Sequence, residues 1–526
     1  MLGRRLIHLG LAFAIWTEAE IRVLKCDCIK APNGREITLP TGLFINNKFV
    51  ESSDKSTLES INPATEGSIA HVSAASEDDV NTAVKAARTA LEGAWRDTPG
   101  TARGRLLLKL ADLVEAEQET LATLETLDNG KPYTSALGDV EEVFSVFRYY
   151  GGWADKNYGQ TIETRRGKFT YTRREPVGVC GQIIPWNYPL AMASWKLGPC
   201  LACGNTTILK PAEQTPLSIL YLCKLIVQAG FPPGVVNVLN GYGRTAGSAI
   251  VNHPGIDKIA FTGSTATGRA IMKAASATMK NITLETGGKS PLIVFDDADL
   301  KNAVYWSHIG IFANMGQICT ATSRVLVQEN IYDEFVDKFL AYTKKTSVVG
   351  DPFKKESNHG PQASKDQYEK ILSYVQTAKD DGAKLLAGGV PHSDESRKGK
   401  GFFIEPTIVG DVKPSMRVFQ EEIFGPFVVF TKFSTQEEAI KLANDSEYGL
   451  AGAVFTQDVN RAIEVSQDLQ AGMVWVNSSN NSDFRVPFGG VKQSGIGREL
   501  GERGLDAYST VKAVHINLTP THPEGL

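Results

Sequence analysis

A chain of 526 residues with 42% hydrophobic and 22% charged content is ordinary globular material, long enough for two or three domains with cores of their own. A formal net charge of -4 lays no broad basic field over it, which argues against nucleic acid and for a small molecule as partner. Seven cysteines are too few for a disulfide framework, and their odd number leaves at least one free thiol, as a reducing compartment allows.

Residues 1–36 read as an N-terminal extension. Arg4-Arg5 precede an apolar run, Leu6 to Trp16, that is interrupted by His8 and too short to span a bilayer. Glu18 and Glu20 weaken a secretory cleavage context. An organelle presequence, a weak interfacial anchor and an extension without function stay open beside a cytoplasmic location. Cys26-Asp-Cys28 has no third ligand beside it, so no metal is expected.

Further along, hydrophobic periodicity alternates between helix and strand, the pattern of an α/β fold with largely parallel sheets. Ser76 should cap a helix beginning Glu77-Asp78-Asp79, with Val80, Ala83, Val84, Ala87 and Leu91 on one face. A second helix is expected over 102–127, stopping near Asn129-Gly130. Segments 177–184, 206–209, 235–239 and 258–261 read as buried strands at βαβ spacing. A second unit follows Glu285, with strands at 291–295, 324–327 and 427–430 and helices around Tyr332, Gln367 and Glu437, the last begun by a Ser434/Glu437 capping box. Segments 168–173 and 509–517 alternate like exposed edge strands, which invite a second subunit.

Three patches carry chemistry. Cys319 lies in Phe312-Ala-Asn-Met-Gly-Gln-Ile-Cys319-Thr-Ala-Thr-Ser-Arg324, where small and polar neighbours keep a sulfur reachable; a buried structural cysteine is the plain alternative. Glu285, in Leu284-Glu285-Thr-Gly-Gly-Lys289-Ser-Pro291, ends an apolar run before two glycines, a place for a general base with a raised pKa or for a solvated carboxylate. Gly263-Ser264-Thr265-Ala266-Thr267-Gly268 after a strand offers N–H and O–H donors to a pyrophosphate, or is a Ser/Thr cap. Lys210 and Glu213 flank the carboxyl end of another strand, where open α/β sheets bind ligands. Gly241 to Gly247 reads as a turn and helix start, and Cys200-Leu-Ala-Cys203 as a helix C-terminus rather than a redox pair.

The cysteine and glutamate motifs, with Asn62-Pro-Ala-Thr65, Pro185-Trp-Asn-Tyr-Pro189, Phe261 to Gly268, Glu421-Glu-Ile-Phe-Gly-Pro426, Pro487-Phe-Gly-Gly490 and Tyr508-Ser-Thr-Val-Lys512, resemble the aldehyde dehydrogenase superfamily. The resemblance implies a Rossmann-type cofactor domain (37–157 and 177–287), an α/β catalytic domain (288–495) and a small β oligomerisation element with the tail (158–176 and 496–526), assembled as a homodimer or homotetramer. It implies NAD(P)-dependent oxidation of an aldehyde to its acid, through a Cys319 thiohemiacetal and thioester, with Glu285 as base for the hydrolytic water and Asn187 as oxyanion donor. Glu285 sets the chain apart from the CoA-acylating branch. For the cofactor it implies Ile184, Trp186, Lys210, Glu213, Gly263, Ser264, Thr265, Ala266, Thr267, Gly268, Glu422 and Phe424. The family pattern usually has an acid where Ala266 stands. Glu213 favours NAD, with NADP left open. For the aldehyde tunnel it implies Glu142, Tyr188, Trp195, Ile318, Thr320, Ser482 and Phe488; Glu142, Ser482 and the nearby Arg485 point to polar substrate groups, or Glu142 and Arg485 face solvent. The aldehyde itself is not legible. An acyl hydrolase and a retired enzyme scaffold rank behind.

Overall fold

The computed structural model describes residues 26–393 and 399–518. Strand Cys26–Lys30 pairs antiparallel with Glu36–Pro40, so the fold begins inside the segment set aside as an extension. The alternation that holds this hairpin is short: Ile29, Ile37 and Leu39 bury their side chains. The targeting reading of the first residues and the end of the tail lie outside the described residues.

An eight-stranded sheet forms the first layer, with five parallel strands in its middle. Their order across the sheet is Asn281–Glu285, Lys258–Thr262, Val179–Ile183, Thr206–Lys210 and Val236–Val238. All but the outermost are buried from end to end, and that one is exposed only at its start, as strands covered on both faces must be. The chain starts at Val179–Ile183, builds outward on one side, then returns to lay Lys258–Thr262 on the other. At that reversal the loops leaving adjacent strands diverge and open a crevice at their carboxyl ends.

Helix Glu77–Glu92 covers one face, burying Val80, Ala83, Val84 and Ala87 and half-burying Leu91. Its start is a capping box: Ser76 Oγ accepts from Asp79 N, and Asp79 accepts from Ser76 N. The helix expected over 102–127 is two, Gly100–Ala116 and Gln118–Asn129, broken at Glu117 (φ -103°, ψ 17°). The first buries a stripe, whereas the second is buried all round from Thr120 onward, which demands a change of direction. It ends where the sequence says, at left-handed Gly130 (φ 88°).

The second sheet has seven strands, Lys384–Ala387, Thr407–Gly410, Phe427–Phe433, Arg324–Gln328, Pro291–Val294, Ala451–Phe455 and Met473–Val476 in spatial order, parallel except for the first. The capping frame expected at Ser434 falls one residue later. The strand before it runs to Phe433 and leaves Ser434 as the link, so Thr435 Oγ1 caps Glu438 N while Glu438 reaches back to Ser434 N. The two expected edge strands pair with each other, Lys168–Pro176 against Ser509–Asn517, and leave the latter at the edge of a three-stranded sheet.

Asp79 also accepts from Ser52 Oγ (3.0 Å) and Ser53 N (3.1 Å) and so ties the helix start to the preceding loop. Asp79→Ala is expected to cost about 2 kcal/mol, because the buried Ser52 hydroxyl and the part-buried donors of Ser53 and Ser76 lose a charged acceptor; a shift of the urea midpoint toward lower concentration checks it, and an unchanged midpoint refutes it.

Candidate functional site

After helix Leu300–Phe312 the chain makes three consecutive left-handed residues, Asn314 (φ 46°), Met315 (φ 56°) and Gly316 (φ 72°). A Cβ on Gly316 would stand 2.0 Å from Gly425 O, so only glycine passes here. The turn delivers Gln317, Ile318 and Cys319 to the crevice, and side-chain amides hold it. Asn314 Nδ2 donates to Asn187 O (3.1 Å) and Gln317 O (3.2 Å). Asn129 Nδ2 donates to Trp186 O (2.7 Å) and Asn187 O (3.3 Å). Asn187 Nδ2 in turn donates to Gln317 O (3.0 Å), which uses one of its two hydrogens and leaves the other available.

Glu285 is the last residue of its strand, 2% exposed, with neither carboxylate oxygen hydrogen-bonded. Burial pushes its pKa well above the usual carboxylate range, and Glu499 adds to the rise. Glu499 is itself held by the buried Lys196, whose ammonium donates 2.6 Å bonds to Glu499 Oε1 and Thr262 Oγ1. The Cys319 thiol is pushed up to about 12 by burial first and by the charges of Glu422 and Glu285 second. Cys319, Glu285 and Asn187 line one cavity of about 710 Å³.

On the crevice side the same cavity is lined by Trp186, Gly263, Ser264, Glu422 and Phe424. Glu422 Oε1 accepts from Gly288 N at 2.9 Å, and Gly287 permits the approach, since a Cβ there would lie 2.4 Å from Glu422 Oε2. Phe424 is left-handed (φ 64°), stands edge-on to Trp186 at 5.4 Å, and has its carbonyl held by Gln367 Nε2 (2.6 Å). Lys210 Nζ, buried at the neighbouring strand end, donates to Pro211 O and Gly241 O, each at 2.8 Å, with Glu213 Oε2 at 3.5 Å. Ser264 Oγ caps helix Thr265–Ala275 by accepting from Thr267 N, which leaves the first-turn N–H groups of Thr265 and Ala266 without helical partners. Ala266 and Thr267 are exposed there, Gly268 packs against Thr286, where a Cβ would meet Cγ2 at 2.7 Å, and Ile184 belongs to the core beneath. A buried ammonium, a half-exposed carboxylate, free helix N–H groups and two aromatic rings along one crevice fit a dinucleotide.

All seven residues expected in the tunnel, Glu142, Tyr188, Trp195, Ile318, Thr320, Ser482 and Phe488, line the cavity. Glu142 and Arg485 part company: Trp195 Nε1 donates to Glu142 at 2.7 Å, whereas Arg485 is an exposed partner of Asp483. Cys200 and Cys203 end a buried helix and both thiols are pushed up, Cys203 to about 12, which suits structure rather than redox exchange. Sequence reasoning missed Asn129, Lys196, Asn314 and Glu499. Asn314 sits within the cysteine motif, but the others act through contacts that no local pattern announces.

The sequence model described as the aldehyde dehydrogenase family matches residues 49–514. The chain belongs to the aldehyde dehydrogenase family. An aldehyde dehydrogenase of Aspergillus niger is 53% identical over 491 residues, covering 93% of this chain and 98% of that one. The mitochondrial aldehyde dehydrogenase of Mesocricetus auratus is 51% identical over 494 residues, covering 93% and 98%. Among solved structures, the NAD+ complex of a Bacillus cereus aldehyde dehydrogenase superposes with a TM-score of 0.89 at 49% identity over 91% of this chain and 97% of that one.

Burial and two neighbouring carboxylates push the Cys319 thiol up to about 12, so little of it is ionised near neutral pH. In nucleotide-free protein its alkylation by iodoacetamide, followed by peptide mass spectrometry, is expected to climb about tenfold per pH unit up to roughly pH 10; a plateau near neutrality would refute the buried, acid-flanked thiol.

Proposed function

We propose that the protein oxidises an aldehyde to its carboxylic acid with NAD, with Cys319 as nucleophile and Glu285 as general base. The observation that carries this reading is the convergence of Cys319, the Asn187 amide and an unpaired, proton-hungry Glu285 on one cavity that borders the crevice of the cofactor sheet. The relatives' names and the NAD+ found in the Bacillus cereus protein support it.

Cys319 passes its proton to the unpaired Glu285, which releases it to solvent, and the sulfur bonds to the carbonyl carbon as the C=O π pair moves onto oxygen. The oxygen becomes an oxyanion, met by the free Asn187 side-chain N–H and the Cys319 backbone N–H. Bound NAD supplies the hydride acceptor. Lys210 and Glu213 would hold its adenosine ribose, Glu422 its nicotinamide ribose, and Phe424 with Trp186 its ring. Once Cys319 carries the acyl group as a thioester, Glu285 takes a proton from water, the new C–O bond forms and the C–S bond breaks. Burial with Glu499 nearby sets Glu285 to that task, since a carboxylate of ordinary pKa is a weak base for water. The same glutamate favours hydrolysis over transfer to CoA. Lys210, Glu213, Ser264 and Glu422 have no purpose in a plain acyl hydrolase.

We further propose a homodimer or homotetramer joined through the open edge of Ser509–Asn517, where Val511 and Ile516 stand exposed, and a reducing compartment such as the cytoplasm, which keeps Cys319 a thiol.

Aldehyde-dependent NADH formation is the direct test, and Cys319→Ser is expected to abolish it. Asn187→Ala should lose about a hundred- to a thousandfold in kcat while remaining folded. Glu285→Gln should keep a single-turnover burst of NADH and lose steady turnover; full steady turnover in that variant would remove Glu285 from its role. Sedimentation showing only monomer at micromolar concentration would remove the assembly.

A further inference from the structure

The arm of the cavity beyond the Cys319 sulfur is aromatic, with Tyr188, Trp195, Phe484 and Phe488 in its walls and Trp195 meeting Phe488 edge to face at 4.8 Å. Its charges have one sign. Asp139, Glu141, Glu142 and Asp483 line it; among the described residues the only lysine or arginine on the cavity is Lys370, which donates to Glu422 O at the cofactor end.

Most of these acids are answered or wet. Lys131 pairs with Asp139 and lies 4.2 Å from the centre of the Tyr188 ring. Arg485 grips Asp483 with two bonds of 2.8 and 2.5 Å, and Glu141 sits exposed on the rim. Glu142 is neither. It takes one bond, from Trp195 Nε1 to its Oε1, and among the described residues no donor meets its other oxygen. Burial raises its pKa to about 7, with Asp139 pushing the same way and the Trp195 N–H and Lys131 opposing, so its charge is present above that pH and lost below it. That the cavity receives a ligand rests on a separate fact, the two unpartnered oxygens of the deeply buried Glu285 on its wall.

Such an arm selects by charge. A wholly apolar chain would leave the second oxygen of Glu142 without a partner, and an anionic end would be repelled. A hydroxyl would add one hydrogen bond. A cation would pair with the carboxylate in a low dielectric and lie against aromatic faces.

We propose that Glu142 makes this arm a receptor for aldehydes that carry a cationic head, a primary or quaternary ammonium, at the end remote from the carbonyl. The proposal deepens the aldehyde-oxidising reading and rests on it. The test compares two isosteric pairs, 3-aminopropanal with butanal and 4-(trimethylammonio)butanal with 5,5-dimethylhexanal, in the wild type and in Glu142→Gln, which retains an acceptor for Trp195. Taking the ratio of kcat/KM within each pair cancels the ionisation of Cys319 and Glu285. The wild-type ratio is expected to favour the cation by about tenfold or more at pH 8 and to fall as the pH drops through about 7, while Glu142→Gln lowers it by about 10- to 100-fold. A ratio near one in the wild type, or one unchanged in Glu142→Gln, overturns the proposal while leaving the dehydrogenase intact. If no aldehyde is turned over, the dehydrogenase reading fails, and calorimetric binding of pentyltrimethylammonium decides the proposal alone: binding weakened at least tenfold by Glu142→Gln upholds it, and equal or absent binding overturns it.

Discussion

One side-chain amide holds together what the rest of the site depends on. Asn314 donates one hydrogen to the distant Asn187 O, from the loop after a cofactor-sheet strand, and the other to Gln317 O, in its own loop that presents the sulfur. To reach both it adopts a left-handed backbone, and Met315 and Gly316 follow it there. Left-handed residues other than glycine cost on the order of 1 kcal/mol each and persist only where the surroundings over-determine them. Here Gly425 on one side and the second amide, Asn129, on the other remove the alternatives. The placing of Asn187 against the loop that carries Cys319 is thus set by hydrogen bonds rather than by loose packing.

Electrostatics in the cavity pull against that precision of position. Glu422 and Glu285 stand by a half-buried thiol, and each carboxylate makes ionisation of the sulfur harder. Burial raises the pKa values of Glu285 and Glu422 as well, so acid groups that would repel one another share a reluctance to charge. A positive ring at the crevice side would oppose both effects, which links occupancy of the crevice to the readiness of the thiol. Lys196 is the fixed counter-charge in the protein itself, pinned between Thr262 and Glu499.

How much of this was legible in the sequence follows from the range of the interactions. The buried parallel strands and the Ser76 helix were readable because continuous apolar runs, a serine cap and an apolar stripe are local patterns. The break at Glu117 was not, since an amphipathic stripe continues through it and only the burial of the second piece on all sides requires the turn. The small neighbours of Cys319 and the glycines after Glu285 left a structural cysteine and a solvated carboxylate open, and only the resemblance to the family chose between the readings. Lys196 and Glu499 announced nothing, because a lysine in an apolar helix means something only once its partner 303 residues away is known. Glu142 was visible as a polar oddity. That it faces inward while Arg485 faces outward depends on a single tryptophan N–H.

The long reach of the Lys196 to Glu499 pair governs how the molecule comes into being. Strand Ser509–Asn517 closes onto Lys168–Pro176 across a similar stretch of chain. While the polypeptide is being synthesised, helix Pro189–Ala202 emerges with a lysine whose carboxylate has not yet been made, and strand Lys168–Pro176 emerges while its neighbour is still inside the ribosome. A buried ammonium without a partner does not stay buried. The cofactor sheet, begun early in the chain, is therefore finished only after the segments that carry Glu499 and Ser509–Asn517 have been made.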